Sequence, residues 1–166
     1  MTTTEQRPGR QPAKLGMLDR AEHAFMTLAG RYGLPALRIT LALTFLWFGA
    51  LKITNDTPVG DFVANTVNWI PGVSGSWFVP FLGVVEVVLG VALLMGRGLR
   101  VVLPLLFGHL VGTFLALVTQ PAVTFQGGNP LMLTTEGEFV IKNLILLSAV
   151  LVLYGLRHAR LSTAHS

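Results

Sequence analysis

The chain has 166 residues, 52% of them hydrophobic and 12% charged, with a mean hydropathy of +0.63. Soluble domains carry about 25% charged residues, so this composition argues against a water-soluble globule. There is no cysteine, which excludes disulfides, thiol redox chemistry, thiolate-bound clusters and thioether-attached haem.

Residues 1–13 are polar and rich in Pro, Gly and Gln, and are expected to be a disordered tail. No short apolar core with a small-residue cleavage site follows the polar, basic start, so no cleaved signal peptide is expected. Residues 14–33 are amphipathic. Leu15, Leu18, Ala21, Phe25 and Leu28 fall near one helical face, with Arg20, Glu22 and His23 largely elsewhere. The expectation is an interfacial helix on the cytoplasmic membrane surface, serving as a lead-in to the first span.

Residues 34–156 contain four long apolar runs: Leu34–Ile53, Phe78–Met95, Leu99–Thr119 and Gly137–Leu156. Each approaches the ~20 residues that cross a hydrocarbon core, and none keeps the polar face of a soluble helix. The fold class expected is an all-α integral membrane four-helix bundle, with the cytoplasmic N-terminal helix and a short outer-surface helix added. Pro104 is expected to bend the third span. Gly83 and Gly90 in the second span, and Gly108, Gly112 and Ala116 in the third, form rows of small residues that let membrane helices pack closely.

The loop between the first two spans reads as a lid. Thr57 is placed to N-cap a helix starting at Pro58. Val59, Phe62, Val63, Val67 and Ile70 keep helical spacing, and Pro71-Gly72 stops it. Trp69 and Trp77 suit the headgroup region. In the loop before the last span, Gly127-Gly128-Asn129-Pro130 marks a turn. It is not a phosphate loop, since no strand precedes it and no lysine follows at the required spacing. Residues 157–166 form a basic tail.

The net charge is +4 and the pI about 10.1. Position explains this without nucleic acid. Ten of the twelve Lys and Arg lie in the N-terminal segment, at the start of the first span, in the loop between spans two and three, or in the C-terminal tail. The loops at 54–77 and 120–136 carry acids and no base. The positive-inside rule therefore places both termini in the cytoplasm of a plasma-membrane protein.

The two remaining bases, Lys52 and Lys142, lie within spans, as do Glu86 and His109. At 1.5 Å per residue, Glu86 lies roughly 12 Å, His109 roughly 15 Å and Lys142 roughly 7 Å from the outer edge, with Lys52 at that edge. Ionisable groups at such depth cost at least about 2.5–3.5 kcal/mol each if unpaired. They are expected to face one another in a pocket, Glu86 pairing with Lys142 ahead of Lys52. Trp47 and Phe48 are expected to supply flat apolar walls. Bland readings stand beside these: Lys52 snorkelling to headgroups, Lys142 pairing with Glu138 four residues earlier, and His109 hydrogen-bonding a neighbouring helix.

Three stretches resemble DoxX-like membrane proteins of the YkgB-type branch. They are Arg38–Thr54 (with Trp47, Gly49 and Lys52), the Gly83-x-x-Glu86 element, and Gly127–Leu147 (with Gly137, Phe139 and Lys142). Two positions depart from that pattern: Glu138 stands where a base is common, and Asn143 where an acid is common. The resemblance implies a four-helix membrane protein. Some family members are subunits of quinone-reducing oxidoreductases, and others accompany redox-stress enzymes.

On that basis quinone is the candidate cofactor, with nothing bound covalently, and a redox enzyme is the candidate partner. Any enzymatic role would be that of a subunit carrying no electrons, since one histidine in the spans cannot provide bis-histidine haem ligation and no metal site is expected. The alternatives are a solute transporter or channel, which would need a homo-oligomer, and a membrane scaffold for a soluble stress enzyme. The candidate pocket residues are Lys52, Glu86, His109, Lys142 and Trp47, supported by Glu138, Asn143 and Gly83.

Overall fold

The computed structural model describes residues 16–163, with side chains through Leu156. The tail expected at 1–13 lies outside the described residues. The helices are α1 (Met17–Ile53), α2 (Gly60–Val67), α3 (Gly75–Met95), α4 (Leu99–Thr113), α5 (Leu115–Thr119), α6 (Pro121–Thr124) and α7 (Thr135–Thr163), with a 3₁₀ turn at Gln126–Gly128. Among the described residues, four helices or helix pairs are long and apolar enough to cross a membrane: α1, α3, α4 with α5, and α7 to Leu156. The only pairing of strand type among those residues is an isolated antiparallel bridge between Phe125 and Leu133.

The chain forms two units, Met1–Leu34 and Pro35–Ser166. In the first, the described side chains from Gly16 to Gly33 are all exposed, including Leu18, Phe25 and Leu28 of the amphipathic face. Arg31 stacks its guanidinium 5.4 Å from the centre of the Tyr32 ring. Pro35 lies inside α1, so the boundary expected after residue 33 is not a helix end.

The second unit holds the core. Leu41, Ala42 and Phe45 of α1 meet Leu89 and Leu93 of α3, Leu103, Leu106 and Leu110 of α4, and Val150 of α7. Glycines set the approach of α1 to α3. A Cβ on Gly49 would stand 2.7 Å from the Gly83 carbonyl oxygen, and one on Gly83 would stand 2.6 Å from that of Gly49. Gly90 meets the Ala42 carbonyl in the same way, at 3.0 Å. Backbones this close leave no room for any side chain, which is the use of small residues in membrane packing. The row in the third span divides differently: Ala116 on α5 is buried, but Gly108 and Gly112 on α4 would carry a Cβ into open space.

One loop departs from the sequence expectation. Thr57 does not cap α2, which starts at Gly60 after Val59 without a side-chain cap. The Gly60 N–H binds the Thr57 carbonyl at 3.2 Å, so Thr57–Gly60 closes a turn and the helix begins after it. In the third span, Pro104 lies inside α4, and the helix is interrupted at Phe114. There the Phe114 N–H reaches back only three residues, to Val111 at 3.1 Å.

The turn expected at Gly127-Gly128 is present, with both residues at positive φ (58° and 75°). Thr134 caps α7, its Oγ1 accepting from the Gly137 N–H at 3.1 Å. Glu136 and Glu138 follow in the first turn, where the helix dipole favours acids. A Cβ on Gly137 would strike the Thr124 carbonyl, so α6 rests directly on the start of α7.

Candidate functional site

Gly83 fixes where Lys52 goes. A Cβ there would lie 2.8 Å from the Lys52 Cβ, so the lysine stem runs past the glycine along α3. One turn further on stands Glu86, and the stem is long enough to cover that ~4.5 Å rise. Lys52 Nζ donates to Glu86 Oε2 at 2.6 Å. The other carboxylate oxygen, Oε1, lies 3.0 Å from His109 Nε2. Glu86 is 4% exposed and Lys52 7%. The Phe45 ring meets the His109 ring edge-on at 5.6 Å and walls the imidazole in. Three helices thus meet at one carboxylate, with each oxygen facing a nitrogen.

This triad forms one side of a cavity of about 520 Å³. The remaining walls are almost entirely apolar. They come from Phe45 and Phe48 of α1, Val59, Phe62 and Val63 at α2, Leu82 of α3, Leu115 of α5, and Phe139 and Leu146 of α7. Phe48 and Phe139 pack edge to face, centroids 6.1 Å apart. The short helix α2 covers the cavity, as the lid reading expects, and a glutamine fastens it. Gln120 Nε2 donates to the Phe62 carbonyl at 2.8 Å and to Thr66 Oγ1 at 2.7 Å. On the far wall, Asn143 Nδ2 donates to Thr113 Oγ1 at 2.9 Å and ties α7 to α4.

The candidate residues are distributed as follows. Lys52, Glu86 and His109 come together, with Gly83 beneath them. Lys142 and Asn143 line the same cavity, but Lys142 does not reach Glu86. Its Nζ lies 3.4 Å from Glu138 Oε2, on side chains 71% and 57% exposed. The pairing expected between Glu86 and Lys142 is therefore corrected: Lys52 takes that place. The reason is occupancy, since Lys52 and His109 already face both oxygens, and Lys142 has an acid one turn away on its own helix.

Trp47 is also corrected. It is 70% exposed and does not line the cavity. Neighbouring helix positions are about 100° apart, and Phe48, with Thr44, Phe45 and Lys52 at helical spacing, takes the inward face. Gln120, Thr66 and Thr113 escaped the sequence reading. Gln120, directly after the third apolar run, carries a signal in its position; Thr66 inside α2 and Thr113 inside the third run carry none.

An apolar four-span bundle closed around a buried ion triad defines a small polytopic α-helical membrane protein. A family model, DoxX, matches residues 33–119, and the chain belongs to that family. The match carries the family and not a branch within it. No curated protein and no solved structure matches the chain.

Proposed function

We propose that this protein is a quinone-associated membrane subunit, or membrane partner, of a redox or stress-response system, with the cavity under α2 as the quinone site. One observation carries the reading. A cavity of about 520 Å³, apolar on nearly every wall, presents a single cluster of buried ionisable groups. Small-molecule sites commonly combine apolar walls with a few placed polar groups. A quinone has that form: a flat ring with two carbonyl oxygens on an apolar tail.

A bound quinone supplies two-electron, two-proton redox chemistry. The residues of this chain would bind and orient it. Phe48 and Phe139 offer flat surfaces, His109 and Lys52 are hydrogen-bond donors, and Glu86 is the proton-carrying group between them. The sequence has no cysteine and a single histidine within its spans, so electrons would come from a partner. The positive-inside pattern supports cytoplasmic termini in the plasma membrane and an α2 lid on the outer face.

A second reading, a scaffold or a solute transporter, is favoured by the occupied state of Glu86. Both its oxygens already face internal partners, as they would if the triad served only to join helices.

The test is quinone content after purification from native membranes. The wild-type chain is expected to retain about one quinone per cavity, and a lipid-facing Val118→Trp variant the same. Val63→Trp, which fills the cavity from the lid, is expected to lose it. Absence of quinone from the wild type, or equal content in all three, would overturn the quinone reading and leave the scaffold or transport one.

A further inference from the structure

Arg38 sits on α1 about 21 Å along the helix from Lys52, toward the other end of the bundle. Its guanidinium rests against the turn that joins α3 to α4. A Cβ on Gly96 would stand 2.9 Å from Arg38 Nη1 and 3.5 Å from Cζ. Gly96 and Gly98 both have positive φ (69° and 64°), which keeps this turn tight. Arg38 Nε is buried and has no hydrogen-bond partner. An unmatched buried donor costs about 1–3 kcal/mol, and more when charged.

No acidic residue stands near Arg38 or this turn in the sequence. The ion pairs among the described residues involve Lys52, His109 and Lys142, and none involves Arg38. There is no acid from Pro35 to Asn55, nor from Val87 to Thr135. Two more cations stand beside the turn, Arg97 within it and Arg100 in the first turn of α4, both exposed. The topological preference of basic residues for one membrane face accounts for Arg97 and Arg100. It does not account for a guanidinium lodged against a backbone turn with a buried, unmet N–H.

We propose that Arg38, with Arg97 and Arg100, binds the phosphate of an anionic phospholipid at this face of the membrane. A guanidinium fork holds a phosphate through two parallel N–H bonds, and basic sites between membrane helices take acidic headgroups. The neighbouring positions favour a lipid over a free anion. Ile39, Leu94 and Met95 adjoin Arg38 and Gly96 in sequence and are exposed apolar side chains at 41%, 44% and 56%. They give acyl chains a surface directly beside the cations.

The experiment titrates full-length protein in neutral phosphatidylcholine nanodiscs with phosphatidylglycerol. Retained lipid is read by native mass spectrometry, and melting temperature is read in parallel. Phosphatidylglycerol is expected to be retained and to raise the melting temperature; extra phosphatidylcholine and inorganic phosphate are expected to do neither. Arg38→Gln should weaken retention by at least about tenfold, since it removes both charge and fork. Arg97→Gln and Arg100→Gln should weaken it by about fivefold each, and Arg20→Gln not at all. Should Arg38→Gln fail to fold, the Arg97→Gln/Arg100→Gln double variant decides, with a loss of more than about tenfold expected. Equal retention by the double variant and by Arg20→Gln would overturn the site. Equal stabilisation by inorganic phosphate would overturn the lipid assignment.

Discussion

Lys52–Glu86 and Lys142–Glu138 are the same two functional groups in two settings. The first joins residues 34 apart in sequence across two helices, at 2.6 Å and buried. The second joins neighbours four apart on one helix, at 3.4 Å and largely exposed. The local pair forms whenever α7 forms. The distant pair forms only when α1, α3 and α4 are correctly assembled, because Lys52 must pass Gly83 and His109 must close the other oxygen. Burial, then, makes an ion pair informative about the fold, and proximity in sequence does not.

The sharpest way to break the comparison is to remove one member of the buried pair. An uncompensated buried charge costs about 3–5 kcal/mol, and lipid surroundings reduce such values only in part. Lys52→Met is therefore expected to lower the melting temperature in detergent more than Gly83→Ala, Gly108→Ala or Lys142→Met. The Lys52→Met/Glu86→Gln double variant should recover part of the loss, because it removes both charges together. Strictly additive losses would show that the groups do not act as a pair.

The glycines sharpen the same contrast between assembled and unassembled surfaces. Gly83→Ala drives a methyl to 2.6 Å from the Gly49 carbonyl and 2.8 Å from the Lys52 Cβ. Overpacking of this kind costs about 1–3 kcal/mol, and at this position it would also push Lys52 off Glu86. Gly108→Ala meets nothing within 4 Å and replaces a poor helix former with the best one. It is expected to leave stability unchanged or raise it by up to about 1 kcal/mol. Equal destabilisation by the two, measured by thermal unfolding, would mean that α4 packs closely against a neighbour at Gly108.

These cases also mark what a sequence can tell. Hydropathy locates the spans because a bilayer demands about 20 apolar residues whatever packs beside them. The rise per residue gives the depth of Lys52, Glu86, His109 and Lys142, and depth is enough to expect a shared pocket. Azimuth is harder. It depends on how each helix is rotated against its neighbours, which a run apolar on all sides does not encode. For that reason sequence alone does not separate Trp47 from Phe48, nor Lys52 from Lys142 as the partner of Glu86. The end of α2 comes at Val67, three residues before the Ile70 expected from Pro71-Gly72, so those two residues close the following turn and not the helix. Its start is displaced as well, because a turn hydrogen bond from Gly60 to Thr57 competes with the cap.

The smallest expected effect belongs to the exposed pair. An i,i+4 pair with the acid first contributes about 0.3–0.5 kcal/mol. Its side chains also lose freedom in holding one geometry. Lys142→Met should therefore change stability by no more than about 0.5 kcal/mol. A double-mutant cycle with Glu138→Gln should return a coupling of the same small size, falling further at high salt. The cycle bears on the cavity as well. Lys142 lines it without pairing with Glu86. Repeating the cycle between Lys142 and Glu86, which share no ion pair, is expected to return no coupling. A coupling above about 1 kcal/mol between them, against none between Lys142 and Glu138, would reverse the assignment of the two pairs.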